Sequence, residues 1–178
     1  MTNKEFFIQS WKRDSAINAK AFRSLPSDME KLNMKHHPMF RSPWEIVNHI
    51  GPHGREVIQA FTEGKADLVN EGLFDLNSPT IYKSLEDAAK DVETSTAKLI
   101  ELAEKCDDNT WMTKMVDVYW NGNKIFDSTL MQFAWTLYHD NLHHRGQLTS
   151  YYRNLGVKQP SLMGPTHEEE LAMMAGAN

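Results

Sequence analysis

Asp140-Asn141-Leu142-His143-His144-Arg145-Gly146-Gln147 lies inside a segment, about Thr129 to Leu155, whose apolar residues recur with helical period. Phe133, Leu137, Leu148, Tyr151 and Leu155 follow one another at steps of three, four and eleven residues, which places them on one face of a helix. That ladder fixes the direction of the polar residues between its rungs. His144 stands seven residues after Leu137 and four before Leu148, and Asp140 stands one turn before His144. Both therefore project from the apolar face or its edge. At ~100° per residue His139 and His143 fall on the far side, with Gln132, Ser150 and Arg153.

An inward carboxylate one turn from an inward imidazole needs a partner, because a buried charge must be paired, hydrogen-bonded or bound to a metal. Two chemistries satisfy it. Asp140 and His144 can hydrogen-bond to each other within a structural core, or converge on one divalent ion with help from a facing helix. The spacing alone does not choose between them. His139-Asp140-Asn141-Leu142-His143 also has the two-histidine spacing of a zinc-protease helix. The phase argues against that use, since it turns both histidines outward and puts aspartate where the glutamate base belongs.

The 178 residues are read as one domain, 1–178, with room for a substantial core. A net charge of −5, with no stripe of Lys and Arg, argues against nucleic acid as a partner, which needs a basic surface to displace counterions. The single cysteine, Cys106, excludes a disulfide framework within the chain and is read as structural. No apolar run approaches the ~20 residues that span a bilayer, and the first seven residues hold no apolar signal core. The expectation is a cytoplasmic protein with no membrane partner.

The rest of the chain supplies three more helices. The first runs from Asn3 to about Leu25, with Phe7, Trp11, Phe22 and Leu25 as core residues and Pro26 as its stop. A connector to Arg41 contains His36-His37, read as solvated. Ser42-Pro43-Trp44-Glu45 is a capping box with proline in the first turn. It opens a second helix with Ile46, His49, Ile50, His53 and Val57 on one face, interrupted by Gly51-Pro52, so a kink is expected beside His49. Here His49 is the stronger candidate ligand and His53 lies at the rim of the same face. Residues 64–82 form a polar connection that packs over the bundle or serves as a lid. The third helix begins at Ser84. Met115 to Trp120 alternates, and Asn121-Gly122 precedes Lys124-Ile125-Phe126, which reads as a small hairpin before the last long helix, capped by Asp127 or Ser128 and stopped by Gly156. A short final helix is expected near Glu168 to Met174. The architecture expected is all-α, a four-helix bundle with one hairpin, in which helices two and four face each other and bring His49 towards Asp140 and His144.

The run Asp140-x-x-His143-His144-Arg145-Gly146-Gln147-Leu148, with Tyr152-Arg153-x-x-Gly156 and Pro160, resembles the C-terminal motif of the DinB-like family. These are DNA-damage-inducible four-helix proteins grouped with YfiT-like metal-dependent hydrolases. Leu25-Pro26 through Ser42-Pro43-Trp44-Glu45 to His49-Ile50 resembles that family's entry to its second helix. The resemblance implies an up-down-up-down bundle of distinctive connectivity, a homodimer and a link to stress response. It also implies a metal held by three histidines, one on the second helix and two at i, i+4 on the fourth. By position these fall on His49, Asp140 and His144, so this chain has aspartate in place of one histidine. Two imidazoles and a carboxylate can hold Zn²⁺ or Ni²⁺, with Mn²⁺ or Fe²⁺ as alternatives.

Two functions follow. The first is a metal-dependent enzyme acting on a small molecule. Three protein ligands leave room for water or substrate, and the ion would activate a water for hydrolysis or, by the resemblance, a low-molecular-weight thiol for S-transfer. His53 is then a candidate general base, with His143 and Arg145 as supporting or surface groups. The second is a non-catalytic, stress-linked binding or scaffold bundle whose polar pair is structural.

Overall fold

Four long helical segments carry the core, and each changes character halfway along. The structure, a computed structural model, describes residues 1–68, 81–120 and 122–176. The segments are α1 (Asn3–Arg23), the pair α3 (Pro43–Ile50) and α4 (His53–Glu63), α5 (Leu85–Lys105) and α7 (Leu130–Asn154). Short helices α2 (Met29–Leu32) and α6 (Asp108–Thr113) sit in connections, and α8 (His167–Gly176) ends the described chain. The protein is thus a four-helix bundle with a small sheet.

Helix ends follow local chemistry. Ser42 Oγ accepts from Glu45 N at 3.2 Å while Glu45 Oε2 accepts from Ser42 N at 2.6 Å, the reciprocal box expected from the sequence. The start of α7 differs from expectation: Thr129, rather than Asp127 or Ser128, is the cap, paired with Gln132 in another such box. Asp127 and Ser128 remain in the strand before it, where pairing with Asp117 and Val116 uses their backbone. After α7, Gly156 takes φ +70°, a left-handed conformation that suits glycine.

The Gly51-Pro52 dipeptide divides the second helix rather than merely bending it. Proline has no N–H to give to Asn48, so α3 closes at Ile50 and α4 restarts at His53 with Pro52 as its cap. Asn48 turns its side chain to use: Oδ1 accepts from the backbone of Ile81 and Tyr82, tying the entry to α5 against α3. Gly54 lets α4 approach α5 closely, since a Cβ there would come 2.4 Å from Ser95 Oγ.

Around the bundle, α1 packs on α5 and α7, and the α3–α4 segment also packs on α5 and α7. Consecutive long segments α1 and α3–α4 therefore stand across the diagonal. The hairpin expected near Met115 is present as β2 (Met115–Trp120) and β3 (Asn123–Thr129), antiparallel with a register shift at Val118/Tyr119. A third strand, β1 (Lys65–Asp67), pairs parallel with β2, Lys65 opposite Asp117. Residues 69–80, which include most of the connection read as a cover or lid, and Asn121 of the expected turn lie outside the described residues.

The core is two apolar clusters with a polar layer between them. One gathers Phe22, Trp44, Ile46, Ile50, Val92, Leu148 and Tyr152; the other gathers Phe7, Trp11, Val57, Leu99, Leu130, Phe133 and Leu137. Each long segment crosses from one cluster to the other through buried polar residues: Asp14, Ser15 and Asn18 on α1, His49 and His53 at the α3–α4 break, Ser95 and Thr96 on α5, Asn141 and Arg145 on α7. Such a layer is stable only if its members bond to one another.

Candidate metal centre

One half of the polar layer is an ion pair. Arg145, on α7, is buried and reaches α1, where its Nη2 donates to Asp14 Oδ1 at 2.7 Å and its Nη1 to Asn18 Oδ1 at 3.0 Å. Tyr138 Oη donates to the other Asp14 oxygen at 2.7 Å. Burial would raise the Asp14 carboxyl, but the bonds from Tyr138, Arg145 and Arg13 outweigh it and hold the carboxyl below its ordinary value. Arg145 therefore locks α7 to α1 and takes no place at the surface.

The other half faces α3 and α4. Asp140, one-third exposed, lies with Oδ2 2.9 Å from His49 Nε2 and with Oδ1 3.5 Å from His144 Nε2. One ligand atom from each of His49, Asp140 and His144 lies within 4.8 Å of the other two. In a tetrahedral site with bonds of about 2.0–2.2 Å, ligand atoms stand about 3.4 Å apart. The distances from His49 to one Asp140 oxygen and from His144 to the other lie on either side of that value, and the donor set suits a divalent ion.

The electrostatics favour a cation here. Burial is the main reason that the His49 imidazole resists protonation, and the nearby charge of Arg41 adds to it against the pull of Asp140. Burial would raise the Asp140 carboxyl, but the imidazoles of His144, His49 and His53 hold it far below the carboxylate range. At neutral pH Asp140 is thus a carboxylate facing the neutral imidazole of His49, the charge states that metal ligands take.

The histidine motif supplies the support. His144 Nδ1–H donates to Gln147 Oε1 at 2.9 Å, which leaves Nε2 directed to Asp140. Gln147 Nε2 in turn donates to His143 Nε2 at 2.9 Å, so His143 orients the amide that orients His144. His143 and His139 are exposed, as the phase required, though both line the cavity beside the cluster.

His53 differs from expectation. Instead of lying at the rim it is 1% exposed, because α4 restarts with its first turn pressed against α7 and α5. Its Nδ1–H donates to Asn141 Oδ1 at 3.2 Å and its Nε2 stands 3.6 Å from Asp140 Oδ2. Burial pushes its pKa down to about 3, so the ring is neutral and a weak base at neutral pH. His36 and His37 are exposed, as expected, and the His36 ring in addition stacks on Tyr151 with centroids 3.8 Å apart.

The cluster opens into a cavity of about 520 Å³ with largely apolar walls, among them Leu68, Phe126, Phe133 and Leu137. A second hollow of about 310 Å³, lined by His36, Phe40 and Tyr151, shares Arg41 and His144 with the first. Cys106 sits at the end of α5, away from both linings. No helix among the described residues is long and apolar enough to cross a membrane.

Against known proteins, residues 1–172 match the model of the DinB family. The chain belongs to that family. It is 25% identical over 167 residues to the uncharacterized protein YrdA of Bacillus subtilis, covering 93% of this chain and 90% of that one. Among solved structures, a DinB-like protein of Bacillus cereus superposes with a TM-score of 0.62 at 23% identity, over 88% of this chain and 95% of that chain. YfiT of Bacillus subtilis, described as a probable metal-dependent hydrolase with an unusual four-helix bundle topology, superposes with a TM-score of 0.65 at 14% identity, over 87% of this chain and 89% of that one. At these identities the superpositions speak for the shared fold, and the diagonal placement of α1 and α3–α4 is the form it takes in this DinB protein.

Proposed function

We propose that this DinB protein is a divalent-metal-dependent enzyme acting on a small molecule, with hydrolysis as the leading reaction and transfer to a low-molecular-weight thiol as the alternative. The observation that carries the reading is the convergence of His49, Asp140 and His144 within 4.8 Å at the floor of a cavity large enough for a small ligand. The likeness to YfiT, described as a probable metal-dependent hydrolase, supports the direction. His49, Asp140 and His144 would hold the ion, Zn²⁺ or Ni²⁺ first. When bound, the ion would supply Lewis acidity, the means of polarising a carbonyl or activating a nucleophile.

The protein's own residues supply position and surroundings. Gln147 and Asn141 hold two imidazoles in fixed tautomers through their side-chain oxygens. Phe126, Phe133 and Leu137 offer an apolar wall that keeps water from one side of a bound substrate. The general-base role expected for His53 is not retained, because a base for neutral pH needs a stronger hold on a proton than this buried ring has.

The test compares chelator-stripped protein with protein reloaded with Zn²⁺, Ni²⁺, Mn²⁺ or Fe²⁺ on a panel of small esters, amides and thiol-reactive electrophiles. Metal-dependent turnover, lost in Asp140→Ala, is expected for at least one substrate class. Metal that binds stoichiometrically without any turnover across the panel would favour the non-catalytic bundle.

A further inference from the structure

We propose that His53 is a fourth protein ligand, so that the centre comprises three imidazoles and one carboxylate. This rests on the metal reading above and extends it. The geometry begins with the spacing: His49 and His53 stand one turn apart, as do Asp140 and His144, and the two pairs face each other across the α3–α4 and α7 segments. Side chains at i, i+4 on facing helices are the means by which bundles build metal sites. Three of the four members of these two pairs, His49, Asp140 and His144, lie within 4.8 Å of one another; His53 stands just outside that set, in reach of Asp140, and would join it by closing on the ion.

The fourth meets them at Asp140. Three imidazole Nε2 atoms surround that single carboxylate, at 2.9 Å from His49, 3.6 Å from His53 and 3.5 Å from His144. His53 is therefore as close to the carboxylate as His144 is. The His49 and His53 rings lie at 80° with centroids 5.3 Å apart, and the His49 and His144 rings at 89° and 4.4 Å. Neither His53 nor His144 stacks flat on His49; each turns an edge.

The support behind the ring points the same way. Metal-binding histidines donate their other N–H to a carbonyl or carboxylate, which fixes the tautomer and aims the free nitrogen. His144 does so to Gln147 Oε1, and His53 does so to Asn141 Oδ1. Asn141 is buried, and it adjoins Asp140 in sequence, so one turn of α7 supplies both a carboxylate and the amide that steers His53 towards it. Any buried imidazole N–H needs an acceptor; here the acceptor is placed so that the opposite nitrogen faces Asp140.

Four protein ligands fill a tetrahedron. An ion that also takes a substrate would then need to accept five or six ligands, so a fourth protein ligand would shift the choice between Zn²⁺ and Ni²⁺ towards Ni²⁺. The test is X-ray absorption on the full-length protein loaded with Ni²⁺, counting imidazoles from their multiple-scattering signature, together with Ni²⁺ titration. Three imidazoles are expected in the wild type and two in His53→Gln. Asn141→Leu, which leaves His53 in place but removes its guide, is expected to weaken Ni²⁺ binding about 10–100-fold; should His53→Gln fail to fold, this variant and the wild-type count decide. Two imidazoles in the wild type, three in both proteins, or unchanged affinity in Asn141→Leu would overturn the fourth ligand while leaving the three-residue centre standing. A wild type that binds no ion would overturn both.

Discussion

Replacing Arg145 by methionine should cost this protein about 3 kcal/mol, although the residue lies in the motif that carries the candidate site. The side chain is 5% exposed and its partner Asp14 is 3% exposed. Removing the guanidinium takes away the bond to Asp14 Oδ1 and leaves Asn18 Oδ1 and the Asp14 main-chain oxygen without that donor. Breaking a buried ion pair from one side costs about 3–5 kcal/mol. Asp14 keeps its bonds from Tyr138 and from the exposed Arg13, which places the loss at the lower end. For a chain of this size that is a fall of about 6–12 °C in Tm. Urea denaturation of Arg145→Met, Asp14→Leu and the double variant forms a cycle. The double variant should lose about 2 kcal/mol less than the sum of the singles, because neither leaves a charge stranded when both are gone. A loss below about 1 kcal/mol in Arg145→Met, or strictly additive losses, would refute the claim that the pair is a buried lock between α7 and α1.

Two helix glycines should respond in opposite ways. Gly54→Ala should destabilise by about 1–3 kcal/mol because its Cβ meets Ser95 Oγ, and Ser95→Ala should recover part of the loss; Gly146→Ala, whose Cβ meets nothing in the middle of α7, should stabilise by about 0.5–1 kcal/mol in the same thermal melts. Acid should probe Asp14 directly. Its folded pKa lies below the unfolded value of about 3.9, so its contribution is full above that value and is lost as pH falls through the folded one. Urea midpoints measured from pH 6 to pH 3 should therefore drop more steeply in the wild type than in Asp14→Asn, and parallel slopes would contradict the assignment. Gln147→Ala should leave stability within about 0.5 kcal/mol while weakening metal binding about tenfold, read by competition with a chromophoric chelator; equal affinity would show that the amide does not steer His144.

Much of the fold is legible in the sequence where a local rule decides it. The Ser42 box, the Pro52 break and the Gly156 stop each depend on a few adjacent residues, and each is where the rule places it. The cap of α7 falls at Thr129 because strand β3, a long-range effect, keeps the chain extended through Asp127 and Ser128 to Thr129, its last residue. Strand β1 leaves no trace, since Lys65-Ala66-Asp67 is too short to show alternation and forms only against β2. The site shows the same division. Helical phase brings Asp140 and His144 to the inner edge of α7, but the eleven-residue gap from Leu137 to Leu148 spans about three turns. That gap is filled equally well by Asp140 with His144 or by Asn141 with Arg145. Both pairs turn inward, the first towards α3 and α4, the second reaching into the buried layer that includes Asp14 and His53. Periodicity sees one face where the bundle has two neighbours. Nothing local marks Asp14 among 24 acidic residues as the partner of Arg145. His53 was legible as part of an i, i+4 pair with His49, and its burial was not, because it depends on how closely Gly54 lets α4 approach α5.

If Asp140 and the imidazoles around it form a metal site, the protein itself should hold an ion. The most direct measurement is the metal content of untagged protein dialysed against a divalent ion and then against metal-free buffer, by elemental mass spectrometry. One equivalent of ion retained by the wild type, and lost in both His49→Ala and Asp140→Ala with helicity unchanged by circular dichroism, is the predicted result. A wild type that retains none of Zn²⁺, Ni²⁺, Mn²⁺ or Fe²⁺ would contradict it.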